Sequence, residues 1–224
     1  MTEKILSGRI ALITGANQGL GREISRSYVT AGADVMLCAR NYDLLEKVEL
    51  ELNPLLGKNQ KICIKKCDVT NENEVNALVH DTLDKLGGCQ ILVNNAGIYG
   101  PKGAIEDQDW DEWKKAIEIN VFGSVLMCRA LIPHFKKHNY GKIIQLSGGG
   151  ATKPLPNLSA YATSKAAIVR FADTLAEEVR SFGIDVNAIA PGALNTNMLQ
   201  EILDSEPEKV GEEFYKNALK QKNN

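Results

Sequence analysis

Tyr161 and Lys165, four residues apart in Tyr161-Ala162-Thr163-Ser164-Lys165, form the pair in this chain best suited to moving a proton. On a helix that spacing puts both side chains on one face. A free phenol titrates near about 10 and is a poor base at neutral pH, but a nearby ammonium favours the phenolate. Lowering the phenol by about two units corresponds to roughly 2.7 kcal/mol of differential stabilisation. Ser147 precedes Gly148-Gly149-Gly150 and offers a hydroxyl that can hold an oxygen as charge develops on it. Asn120, in Glu118-Ile119-Asn120-Val121, has no propensity reason to sit inside a helix. Ordering a water or bending the helix would be a better reason. Taken singly, each residue has a bland reading, since Tyr/Lys pairs are common on helix faces and Ser before glycines is an ordinary loop. The combination, in this order along these elements, is what points to chemistry.

A second string, Thr14-Gly15-Ala16-Asn17-Gln18-Gly19-Leu20-Gly21, can seat a pyrophosphate. One glycine lets the chain turn off a strand, a second admits the backbone to the anion, and a third lets the following helix pack closely. The helix N-terminus adds unpaired N–H groups and the positive end of its dipole. Candidate contacts are therefore Gly15, Asn17, Gln18, Gly19, Leu20 and Gly21. About 20 residues on, where an acid would bind the ribose 2′-hydroxyl of NAD, the chain reads Ala39-Arg40-Asn41. A guanidinium there can grip a 2′-phosphate, so NADP is expected over NAD. The alternative is that Arg40 stacks on the adenine or faces solvent. Asp68 and Val69, at the end of a strand, suit the adenine edge, although Asp68 or Thr70 would serve nearly as well as a helix N-cap. In Asn94-Asn95-Ala96-Gly97, the small residues leave room for a ribose, and Asn94 reads as structural.

The elements that must position these groups alternate. Strands are expected at Arg9–Thr14, Asp34–Ala39, Lys61–Cys67, Gln90–Val93, Lys142–Leu146 and Ile184–Ala190. Helices are expected at Gly19–Ala31, Asp43–Leu52, Glu72–Leu86, Asp109–Lys137, Ala160–Phe182 and Glu206–Lys220. Unbroken apolar runs such as Ile10-Ala11-Leu12-Ile13 suit parallel strands covered on both faces. The pattern predicts an α/β fold: a doubly wound parallel sheet with helices on both faces, residues 1–224 forming one dinucleotide-binding and catalytic domain.

Composition narrows the partners. The 224 residues carry 26 basic and 28 acidic side chains, a formal charge of -2. That balance argues against nucleic acid or a membrane surface as partner. No stretch approaches the roughly 20 apolar residues of a membrane span, and Met1–Arg9 lacks the features of a secretory signal. The five cysteines, Cys38, Cys63, Cys67, Cys89 and Cys128, contain no CxxC pair and read as buried reduced thiols of a cytoplasmic protein. Cys63 and Cys67 share a face of one strand but lie too far apart to bridge. His134 and His138 read as a solvated helix end, not a zinc site, so no metal is expected. Trp110 and Trp113 are expected to anchor the start of the long helix. The loops Ile98–Pro101, Gly148–Leu158 and Leu194–Leu203 should wall a substrate, with Tyr99, Leu155, Met198 and Leu199 making it partly apolar.

On these motifs, from about Arg9 to Met198, the chain resembles the short-chain dehydrogenase/reductase family, single-domain Rossmann-fold type. The family's glycine motif falls on Thr14, Gly15, Gly19 and Gly21, and its Asn-Asn-Ala-Gly motif on Asn94–Gly97. Its catalytic tetrad falls on Asn120, Ser147, Tyr161 and Lys165, and its Pro-Gly motif on Pro191-Gly192, with Thr196 where the family contacts the nicotinamide carboxamide. The resemblance implies hydride transfer between NADP and a small-molecule carbonyl or alcohol. Tyr161 would be the acid/base, Ser147 would orient the oxygen, and Lys165 would lower the Tyr161 pKa and hold the ribose. Asn120 would position a water that relays protons. It also implies a homodimer or homotetramer through the helices at 109–137 and 160–182. Family members usually continue past the segment equivalent to Gly211–Asn224 into a further helix and a seventh strand. The sheet is therefore expected to lack that strand, leaving the sixth as an open edge unless another chain covers it. A 3-oxoacyl-carrier-protein reductase is the nearest variant reading, and an NAD(P)-binding sensor or scaffold without turnover is the alternative from another class.

Overall fold

The computed structural model describes residues 4–192 and 194–222. Met1–Glu3, part of the segment read above for a leader, lie outside it. Six strands form one parallel sheet: β1 (Ile10–Thr14), β2 (Asp34–Ala39), β3 (Ile62–Lys66), β4 (Ile91–Asn94), β5 (Gly141–Leu146) and β6 (Ile184–Ile189). Their order is β3-β2-β1-β4-β5-β6, so the direction of winding reverses between β1 and β4. That reversal opens a crevice at the carboxyl ends of the strands, where ligands bind in such folds.

Side-chain alternation on each strand explains the two-sided core. Ile10 and Leu12 of β1 enter the cluster shared with α3 (Glu72–Leu86), α5 (Gly123–His138) and α6 (Ser159–Val179). Ala11 and Ile13 enter the opposite cluster, under α1 (Gly19–Thr30) and α2 (Tyr42–Leu52). The doubly wound architecture expected from the apolar runs is thus the observed one. β6 has a single strand neighbour, β5, among the described residues, and Ile189 on it is 45% exposed.

The long helical run starts at Trp110 and reaches His138, but it is not uniform. α4 (Trp110–Ile117) passes into a π-helical turn, Glu118–Phe122, before α5. Asn120 sits inside that turn, so the residue that has no propensity reason for a helix marks the place where the helix is widened. The run is long and apolar enough to cross a bilayer by length and composition, contrary to the sequence expectation. Its apolar stripe, however, is spent on the core: Met127, Leu131 and Phe135 are fully buried against the sheet. Asp109 caps the run by accepting from the Glu112 amide. Trp113 anchors it by donating from Nε1 to Ser159 Oγ, whereas Trp110, stacked on Trp113, is 62% exposed.

The C-terminal segment departs from expectation. One helix over Glu206–Lys220 is replaced by α8 (Pro207–Val210) and α9 (Glu212–Lys222), and Asn197–Leu203, read as loop, is helix α7. These pieces bury Leu199, Ile202, Val210 and Ala218 against one another, a core of their own that short windows of sequence do not reveal. Cys67, expected inside the third strand, lies just past the end of β3 and is buried. All five cysteines are free, Cys63 only half-buried.

Candidate active site

A cleft of about 800 Å³ opens at the carboxyl ends of the strands. Its floor is built by close backbone approach. Gly15 turns off β1 with φ +63°, and a Cβ there would stand 2.9 Å from the Ala96 Cα. A Cβ on Gly21 would stand 2.5 Å from Asn95 Nδ2 and closer still to the Gly15 carbonyl oxygen. Only glycine fits either place. Thr14 and Asn95 lock the ends of β1 and β4 together: the Asn95 and Ala96 amides donate to Thr14 Oγ1, and Asn95 Nδ2 donates to the Thr14 and Gly15 carbonyls.

The first turn of α1 faces this floor. Gln18 stands at its N-cap without a capping side-chain hydrogen bond, and no acid occupies the first turn. The helix end is left with unpaired donors and a positive dipole, which suits an anion. At the far end of the cleft, Arg40 lies just past β2, exposed and without an ion-pair partner among the described residues. Asp68 accepts from the amide and hydroxyl of Thr70, and the N-cap of α3 is Asn71, neither Asp68 nor Thr70. Asn94 is buried, its Nδ2 donating to the Ser124 carbonyl, and it does not line the cleft. These residues fit a dinucleotide: a cradle that a Cβ would fill and an uncapped helix end beside it.

Opposite the cradle, α6 carries Tyr161 and Lys165. Lys165 is deeply buried, its Nζ donating 2.7 Å to the Leu146 carbonyl at the end of β5. Burial pushes its amine down to about 8. The Tyr161 ring lies 5.6 Å from Lys165 Nζ and 4.7 Å from the Tyr99 ring. Burial raises the Tyr161 pKa as well. Both groups lose water to burial, and the amine directs its hydrogen bond to the Leu146 carbonyl. Ser147, at the end of β5, lines the same cleft, and its Oγ donates to the Lys165 carbonyl at 3.4 Å.

Asn120 does not line the cleft. Its Oδ1 accepts from the Ile98 amide at 2.8 Å, and its Nδ2 donates to the Ile98 carbonyl and to Ser164 Oγ. A side chain so occupied clamps the Gly97–Ile98 backbone beside the cleft, with Oδ1 and Lys165 Nζ both facing Gly97. The other expected contacts, from Gly15 to Thr196, including Asn17, Leu20, Val69, Gly97, Pro191 and Gly192, all line the cleft. Ile202 lines it from the segment Leu194–Leu203 expected to wall a substrate, whereas sequence reading missed Phe214, Asn217, Ala218 and Gln221, which line it from α9. The spacing of the last four, i, i+3, i+4 and i+7, was the available signal.

The family model described as short chain dehydrogenase matches residues 9–207. The chain belongs to the short-chain dehydrogenase/reductase family. It is 36% identical over 204 residues to a 7alpha-hydroxysteroid dehydrogenase of Escherichia coli (strain K12), covering 91% of this chain and 78% of that one. A solved 7 alpha-hydroxysteroid dehydrogenase complexed with NADH and 7-oxo glycochenodeoxycholic acid superposes with a TM-score of 0.81 at 33% identity, covering 92% of this chain and 83% of that one. NAD+-bound xylitol dehydrogenase gives a TM-score of 0.84 at 27% identity, over 93% and 84% of the two chains. As a short-chain dehydrogenase/reductase, the chain is an oxidoreductase acting between alcohols and carbonyls with a nicotinamide dinucleotide.

Proposed function

We propose that this chain is an NADP-dependent oxidoreductase that interconverts a small carbonyl compound and its secondary alcohol, with Tyr161 as acid/base. One observation carries the reading: Tyr161, Lys165 and Ser147 open into the same cleft as the Gly15–Gly21 cradle. When bound, a reduced dinucleotide supplies hydride to the carbonyl carbon. Ser147 donates a hydrogen bond to the substrate oxygen as charge builds on it. Tyr161, whose burial keeps the phenol protonated, gives its proton to that oxygen. Lys165, with its amine near 8, can return a proton to the phenolate and hold the ribose hydroxyls. Asn120 acts as a positioning residue, fixing Ile98 and hence the wall beside Lys165. In the oxidative direction the same groups take the proton off the alcohol.

Arg40 supports NADP, since the end of β2 offers a cation and no acid to a phosphate on the adenosine ribose. The same reading takes residues 1–224 as one domain, assembled as a homodimer or homotetramer through the faces of residues 109–137 and 160–182. The test is Tyr161→Phe, which should lose nearly all turnover, by about 100-fold or more, while still binding NADPH. Near-normal turnover in that variant would refute the assignment.

A further inference from the structure

A helix fixes the Cβ of a tyrosine and leaves two side-chain torsions to its surroundings, so neighbours decide where the Tyr161 hydroxyl stands. On one side Tyr161 Oη lies against the Gly148 backbone. On the other its ring meets the ring of Tyr99, with centroids 4.7 Å apart and planes inclined by 52°. That is the separation and tilt of a favourable aromatic pair. Tyr99 lines the cleft but belongs to none of the catalytic motifs.

Tyr99 is itself held through both chain neighbours. Asn120 clamps Ile98, accepting from its amide and donating to its carbonyl. Gly100 takes φ +75°, and a Cβ there would stand 2.7 Å from the Ala116 Cβ and 3.4 Å from the Ala160 Cβ. The loop is thereby seated on α4 and on the residue just before Tyr161. The Tyr99 ring also packs against the apolar cluster of Leu199, Ile202, Val210 and Ala218 from α7, α8 and α9. There α9 is tied to α7, with Tyr215 Oη donating to the Leu203 carbonyl and Lys222 Nζ to Gln200 Oε1. Lys102, 6.0 Å from the Tyr99 ring centroid, is paired with Glu201 of α7. One ring thus joins the reacting phenol to the C-terminal helices.

We propose that Tyr99 is a positioning residue for Tyr161: its ring holds the phenol against Gly148 and keeps water from it, and so carries the packing of α7 and α9 to the reacting group. This role rests on the reading of Tyr161 as acid/base given above. Wild type, Tyr99→Ala and Tyr99→Phe are compared as whole chains. Each reduces cyclohexanone, acetophenone and a ketopentose with NADPH or NADH and oxidises the corresponding alcohols, while dinucleotide binding is followed separately by nicotinamide fluorescence. Tyr99→Ala should lose about 10- to 100-fold in kcat and bind the dinucleotide as wild type does. Tyr99→Phe, which keeps the ring, should recover most of that loss. The pH profile gives a second readout. Burial raises the Tyr161 phenol; Lys165 Nζ is the cation beside it, 5.6 Å from its ring, and the Lys102–Glu201 pair adjoins Tyr99. Water admitted by Tyr99→Ala should lower the phenol, moving the acid limb of oxidative kcat/KM to lower pH by about half a unit or more, while Tyr99→Phe keeps the wild-type limb. Should Tyr99→Ala not fold, Tyr99→Leu, which fills the cluster without a ring, takes its place. A lower kcat with the limb unmoved would make Tyr99 a packing residue only and overturn the proposal. A raised KM at wild-type kcat would move Tyr99 to the substrate, and an equal loss in Tyr99→Phe would move the effect to the hydroxyl; either overturns it. Dinucleotide binding by wild type without turnover of any probe, or full turnover in Tyr161→Phe, would instead overturn the acid/base reading, and the positioning role with it.

Discussion

The hydroxyl of Tyr161 lies against the backbone of Gly148: a Cβ built on that glycine would stand 2.5 Å from Tyr161 Oη. The bare backbone next to Ser147 is therefore what seats the phenol. Gly148→Ala should push the tyrosine off its position. An expected loss of about 100-fold in kcat, with NADPH affinity kept, follows from misplacing a group that must lie within bonding reach. Kinetics together with a dinucleotide titration check it, and a variant with unchanged kcat would mean that Tyr161 Oη has room to shift at no cost.

Lys165 gives a stability prediction with a definite sign. Its amine titrates at about 8 in the folded chain against an ordinary 10.5. Between those values the unfolded chain binds more protons, so stability contributed by this group rises as pH increases from about 8 to about 10.5. Urea unfolding of the wild type and Lys165→Met across that window isolates the effect. The wild type should gain on the variant by up to roughly 3 kcal/mol. A flat difference would show that the buried amine keeps an ordinary affinity for its proton.

Gly21→Ala tests the floor of the cradle. A methyl group there meets the Gly15 carbonyl and the Asn95 amide, which are hydrogen-bonded to each other while the amide also donates to the Thr14 carbonyl, so the clash cannot relax locally. Overpacking of this kind costs about 1–3 kcal/mol. Thermal melting should show that loss, and NADPH affinity should fall with it. Wild-type affinity in a folded Gly21→Ala chain would detach the cradle from the dinucleotide.

Arg40→Ala tests the choice of dinucleotide. A charge-assisted hydrogen bond contributes about 1.5–3 kcal/mol, so the NADPH/NADH ratio of kcat/KM should fall about 10- to 100-fold. A preference for NADH already present in the wild type and unaltered by the substitution would overturn the NADP assignment.

By itself the sequence determined the elements whose signal is local. β2, from Asp34 to Ala39, and α3, from Glu72 to Leu86, lie where the apolar pattern puts them, and the order of strands and helices implied the parallel sheet. The glycine string and the Tyr161/Lys165 spacing placed both ends of the cleft, because turns and helix faces depend on residues a few positions apart. Tertiary structure decided whatever depends on distant neighbours. Asn120 is spent on Ile98, 22 residues away, and marks a π-helical turn; its role required the chain to fold back on itself. The proton affinities of Tyr161 and Lys165 follow from how deeply the sheet, Tyr99 and the Leu146 carbonyl enclose them, which no spacing encodes. The helices α7 and α9 took shape from mutual burial of Leu199, Ile202 and Ala218, a hydrophobic gain that exists only once both are in place.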